Sequence, residues 1–120
     1  CAAGRARFDI PISLHICGDT TTCISRMIET GATGIEIDHV MNLHRVRQVC
    51  SERITAIGNV NPIDPLLSGT PEAVKAACRA CLEAFAGSNR IILATGCAIS
   101  PLTPPANLAA MTDAVRETSR

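Results

Sequence analysis

The sequence predicts an α/β fold made of four consecutive βα units, and three observations carry that reading. Short stretches in which every second residue is apolar take turns with longer stretches whose apolar residues recur every three or four positions. Caps and stops fall between them, so the connections are short. Polar residues gather where the strands end, His15 and Cys17 on the first and Asp38 on the second. Such alternation implies a parallel sheet covered by helices. An open doubly wound sheet and half of an eight-stranded βα barrel both satisfy it. The pattern leans toward the barrel, because one face of each strand is Ile/Leu while the other turns polar at the C-terminal end, where barrel active sites lie.

The first strand is expected over 10–17, with Ile10, Ile12, Leu14 and Ile16 on one face and Pro11, Ser13, His15 and Cys17 on the other. Asp19 or Thr20 can cap a helix running to about Thr30, with Ile24, Met27 and Ile28 inward and Gly31 as its stop. The second strand spans 34–38, and Asn42 caps the next helix, whose stripe is Leu43, Val46 and Val49 or Cys50. The third strand covers 54–59, and the Pro-rich segment 60–65 is loop. Thr70-Pro71-Glu72 is a strong helix start, a cap followed by proline and an acid, and that helix ends near Gly87. The fourth strand covers 90–95. Thr103-Pro104 then opens a last helix with Leu108, Met111 and Val115 inward.

Composition excludes several function classes. The 120 residues carry 11 Lys+Arg and 11 Asp+Glu, so no basic face is available for nucleic acid. Phe8 and Phe85 are the only aromatics, which removes stacking platforms for bases. Apolar residues make up 47% and charged residues 18%, too hydrophobic for disorder and without the apolar run a membrane span needs. Seven cysteines are an odd number in a helix-rich pattern, which fits a reducing, cytoplasmic setting better than a secreted disulfide scaffold. The chain opens with Cys1 and not Met, and is read as the interior of a longer protein or a processed end.

His15 and Cys17 are two apart on a strand, so both side chains leave one face. Cys97 follows the fourth strand and reaches the same rim if the sheet is parallel. One imidazole and two sulfurs are the donor set of a catalytic zinc site with a fourth position open. Spacing alone leaves open an interior histidine and two ordinary buried cysteines. Cys78 and Cys81 form a CxxC, but with Val74 and Phe85 they recur at helical spacing, and core packing accounts for them. Cys23 and Cys50 read the same way. Asp38 is a substrate contact or a loop-ordering carboxylate. Glu36, inside a barrel, would need a partner. Asn59 and Asn61 bind substrate polar groups or order the Pro-rich loop. His39 and His44 are expected in solvent.

Three stretches together resemble the uroporphyrinogen decarboxylase superfamily: His15-Ile-Cys-Gly-Asp-Thr-Thr21; Gly58-Asn-Val-Asn-Pro62 with Leu67-Ser-Gly-Thr-Pro-Glu72; and Gly96-Cys97 with Thr103-Pro-Pro-Ala-Asn107. Their order and spacing match the last third of that family. Within it the chain is similar to the corrinoid-dependent methyltransferase branch, whose His-x-Cys and later Gly-Cys zinc ligands map onto His15, Cys17 and Cys97. The decarboxylase branch lacks the His-x-Cys-Gly pair and carries His where Cys97 stands.

The resemblance implies a TIM (β/α)8 barrel of which residues 1–120 are the C-terminal half, the N-terminal half being absent. It implies an enzyme that moves a methyl group between a corrinoid (methylcobalamin-type) cofactor, free or protein-bound, and a small thiol resembling coenzyme M. Zn2+ on His15, Cys17 and Cys97 would hold the thiol, with Asp38 as catalytic residue and Asn59 and Asn61 toward substrate. A half barrel leaves two strand edges open, so a homo-oligomer or pairing with the missing half is expected. The alternatives are a metal-free tetrapyrrole decarboxylase and an inactive structural fragment.

Overall fold

Each helix forms where its sequence can satisfy the free backbone groups at its ends and bury one stripe. In the computed structural model, which describes residues 1–118, the order is α1 (Ala2–Phe8), β1 (Ser13–His15), α2 (Ile24–Glu29), β2 (Gly34–Glu36), α3 (Leu43–Cys50), β3 (Thr55–Val60), α4 (Pro71–Ala84), β4 (Ile91–Thr95) and α5 (Pro105–Thr118). Asn42 caps α3 by accepting from the Arg45 amide at 3.1 Å, and Thr70 caps α4 by accepting from the Ala73 amide at 3.3 Å. On α4, Val74, Cys78 and Cys81 are buried, as is Phe85 beyond its end. Among the described residues no helix is long and apolar enough to cross a membrane.

The four strands are all parallel and lie in the order β1-β2-β3-β4. This order decides between the two architectures. A doubly wound sheet reverses direction at a switch point, which sends helices to both faces. Here every crossover steps the same way. The right-handed rule for βαβ units then places every crossover helix on one face, as a barrel requires.

Register follows from the same alternation. Leu14, Ile35, Ala56 and Ile91 lie side by side and face the helices. Ile35, Ile37, Ala56 and Val60 are at most 1% exposed beneath Met27, Val46, Cys50, Val74, Cys78 and Ala114. His15, Glu36, Ile57 and Ile92 form the adjacent row. That opposite face is open, with Ile92 54% exposed.

Two expectations are corrected. The first strand pairs only over Ser13–His15, not 10–17, because it is an edge strand and its one neighbour, β2, is itself three residues long. Ile10 and Ile16 are consequently exposed, and Leu14 alone on that strand packs firmly on the core. Ahead of it lies α1, whose Ala and Arg residues favour helix but which buries nothing. On α5 the buried residues are Asn107, Ala110 and Ala114; Met111 packs half-buried against the core as expected, whereas Leu108 and Val115 are exposed. The two alanines let α5 lie close on α4, and the Leu108–Met111–Val115 stripe instead lines an open groove beside Leu93.

Asn107 ties α5 to the loop before α4. It is 1% exposed, and its amide donates to the Leu66 carbonyl at 2.9 Å and the Gly69 carbonyl at 3.0 Å. N107A leaves both carbonyls without that donor and opens a cavity, so we expect a loss of about 2–4 kcal/mol in urea unfolding. A midpoint equal to wild type would contradict this account of the α5 anchor.

Candidate metal centre

The rim where the strands end holds one continuous chain of polar contacts. His15 ends β1, and its Nε2 lies 2.9 Å from the Cys17 sulfur. Its Nδ1 lies 2.9 Å from Glu36 Oε2, the residue opposite it on β2. Ser13 donates to Glu36 Oε1 at 3.0 Å. Cys97 lies near enough to push the Cys17 thiol above its ordinary range, through its side chain first, with desolvation and Asp38 adding to the effect.

The approach of Cys97 to Cys17 demands curvature. β1 and β4 are the two edges of the sheet, three strand spacings apart, roughly 14 Å in a flat sheet. The two side chains come near each other only if the sheet curls and the rim loops fold inward. Glycines permit this at two places. A Cβ on Gly58, whose φ is +146°, would sit 2.6 Å from the Ile37 carbonyl oxygen. A Cβ on Gly96 would collide with the His39 backbone, so the turn carrying Cys97 can lie directly on the end of β2 only as glycine. The curled rim encloses a cleft of about 460 Å3 lined by His15, Glu36, Ile57, Ala94 and Cys97.

Asp38 is buried at the base of this rim. Its Oδ2 accepts from the Gly18 amide at 2.7 Å, and its Oδ1 accepts from the Val40 amide at 3.2 Å and faces His39 Nδ1 at 2.9 Å. These donors, Gly18 first, hold its carboxyl below the usual carboxylate range against the opposing effect of desolvation. The carboxylate therefore fixes the chain just after Cys17, and both its oxygens are spent on the protein. Asn59 is likewise committed inward: its amide donates to the Asp38 and Met41 carbonyls, both at 3.0 Å, and its oxygen accepts from the Cys81 thiol at 3.6 Å. Asn61 accepts from the Ile63 amide at 2.9 Å and the Asp64 amide at 3.3 Å, which orders the Pro-rich loop. Neither asparagine lines the cleft.

The structure thus brings His15, Cys17 and Cys97 together and places Asp38 and Asn59 behind them. Among the described residues, no group of three or more His, Cys, Asp or Glu is disposed to hold a metal ion, so the candidate ligand set rests on these pairwise contacts and on donor chemistry. Cys78 and Cys50 are core residues, their thiols pushed up to about 11 by burial. His39 and His44 are both exposed, as expected, and His39 also faces Asp38. Ser13 and Glu36 are members of the rim that the sequence did not assign. Only the β1–β2 register reveals that Glu36 lies opposite His15.

A one-sided parallel βα sheet with an imidazole and two thiols converging at its C-terminal rim defines the class: an enzyme-like portion of a βα barrel. The family is shown directly. The uroporphyrinogen decarboxylase (URO-D) model matches residues 1–118, and the chain belongs to that family. It is 36% identical over 90% of its length to the methylcobamide:CoM methyltransferases MtbA of Methanosarcina mazei and Methanosarcina acetivorans, and covers 30% of each. It is 31% identical over 81% of its length to the uroporphyrinogen decarboxylase of Burkholderia mallei, covering 26% of it. A solved methyltransferase structure from Methanosarcina mazei superposes with a TM-score of 0.85 at 29% identity, over 96% of this chain and 33% of that one. The chain therefore spans about a third of the length of the relatives it matches.

The anchoring role of Asp38 has a pH signature. Its folded-state pKa is depressed, so its contribution is complete above the unfolded value near pH 4 and fades as pH falls through the folded value. We expect D38N to be less stable than wild type by about 1–3 kcal/mol at neutral pH. The gap should narrow only below about pH 4. Urea midpoints of both proteins across pH check this, and a gap that widens in acid would refute it.

Proposed function

We propose that this chain carries the thiol-activating portion of a corrinoid-dependent methyltransferase, with zinc held by His15, Cys17 and Cys97. The observation that carries the reading is the meeting of Cys97 with the His15–Cys17 pair across the curled sheet, in a chain similar to methylcobamide:CoM methyltransferases. The donor set suits the metal. Two soft sulfurs and an imidazole nitrogen favour zinc over magnesium or calcium, and three protein ligands leave a position for substrate. When bound, zinc supplies the charge that lowers a substrate thiol's pKa and keeps it as thiolate at neutral pH.

The chain's own residues do the rest. Cys17 and Cys97, as thiolates, balance the dication, so the incoming sulfur stays electron-rich. Asp38 holds Gly18 and so fixes the segment that carries Cys17. The cleft beside His15 and Cys97 has room for a small thiol with a polar tail, of the coenzyme M kind. A corrinoid, when bound, would supply the methyl group, and the thiol positioned by His15, Cys17 and Cys97 would be its acceptor. The remaining barrel strands, in this reading, come from the rest of a longer chain or from a second copy. They close the edges of β1 and β4 and provide the face that receives the corrinoid or its carrier protein, in the cytoplasm.

A metal-free tetrapyrrole decarboxylase is the second reading, favoured by the similarity to the Burkholderia mallei enzyme. It leaves the approach of Cys97 to Cys17 without a role. Cys97→Ser separates the two. In the methyltransferase reading it loses most bound zinc and thiol methylation together, by metal analysis and a methyl-transfer assay on the purified protein. Unchanged zinc stoichiometry in that variant refutes the assignment of Cys97.

A further inference from the structure

We propose that Glu36 is a positioning residue that sets the ring of His15 for metal binding; this rests on the zinc reading above. Three features of the fold converge on it. The register sets Glu36 directly opposite His15 on the neighbouring strand, both facing the cleft. One carboxylate oxygen is held by the Ser13 hydroxyl at 3.0 Å, and the other meets His15 Nδ1 at 2.9 Å. The far ring nitrogen, Nε2, is the one that lies 2.9 Å from the Cys17 sulfur.

A carboxylate only accepts, so Nδ1 must carry the proton. In the neutral ring that leaves the lone pair on Nε2, the nitrogen on the sulfur side. The carboxylate thereby selects the tautomer and stops the ring from turning. His15 needs that restraint, since 40% of its side chain is exposed. A carboxylate behind a ligating imidazole is a general means of aiming the ring and raising its basicity.

The competing account is a surface ion pair with no consequence. Exposed pairs contribute little to folding, so stability does not separate the two, but metal affinity does. The probe is Zn2+ alone, titrated against a chromogenic chelator on the purified protein. Melting followed by far-ultraviolet circular dichroism serves as the folding control.

Glu36→Ala should bind Zn2+ about 10–100-fold more weakly. Glu36→Gln should remain close to wild type, because its carbonyl oxygen still accepts from Nδ1 while its amide donates to the Ser13 hydroxyl. Ser13→Ala, which loosens the carboxylate without removing it, should weaken binding in the same direction but less. Wild-type affinity in Glu36→Ala overturns the positioning role and leaves the zinc reading standing. Equal losses in the Ala and Gln variants assign the effect to charge and also overturn it. Should Glu36→Ala not fold, unchanged affinity in Ser13→Ala overturns it instead. A wild-type protein that takes up no Zn2+ removes both readings together.

Discussion

The approach of the rim segments that carry Cys17 and Cys97 is the constraint on which the rest depends. It joins the two outermost strands of a four-stranded sheet, and no flat arrangement allows it. Strong curvature is therefore a requirement of the site as well as a property of the fold. The glycines at 58 and 96 serve that curvature, since each stands where the backbone of a neighbouring segment leaves no space for a side chain. The buried carboxylate of Asp38 serves it too, by pinning the turn after β1 to the end of β2.

The rim separates residues that face the cleft from residues that hold it open. His15, Glu36 and Cys97 line the cleft. Asp38, Asn59 and Asn61 lie behind it, and their hydrogen bonds order the chain around the rim. This division is common in barrels, where strand ends present the chemistry and the following loops fix its geometry. It also places polar residues at the rim of a chain otherwise rich in Ala and Ile.

Much of the fold was legible because each unit is local. Thr70-Pro71-Glu72 and Asn42 announce their helices, and the Val74–Cys78–Cys81–Phe85 stripe shows its buried face. Residues 15, 17 and 97 were expected at one rim, because strand periodicity and a parallel sheet bring them there; the metal they would hold is a proposal. The rest required partners that one segment does not reveal. α5 hides Ala110 and Ala114 in preference to larger residues because closeness to α4, not side-chain size, sets its orientation. The first strand is short because its only neighbour is short. Glu36 gains its meaning from register, and Asn59 turns inward because the Asp38 and Met41 carbonyls need a donor.

The strand order has a consequence for how the chain acquires this architecture. Every sheet pairing joins neighbours in sequence, so each βα unit can dock on the one before it with only a modest loss of chain entropy. The approach of Cys97 to Cys17 is the exception, since it links the first unit to the last across a longer loop than any strand pairing closes. Helix content is thus a poor reporter of a finished molecule. A population could show full secondary structure and a buried aliphatic interior while its thiols remain apart, and thiol reactivity would distinguish it from the completed state.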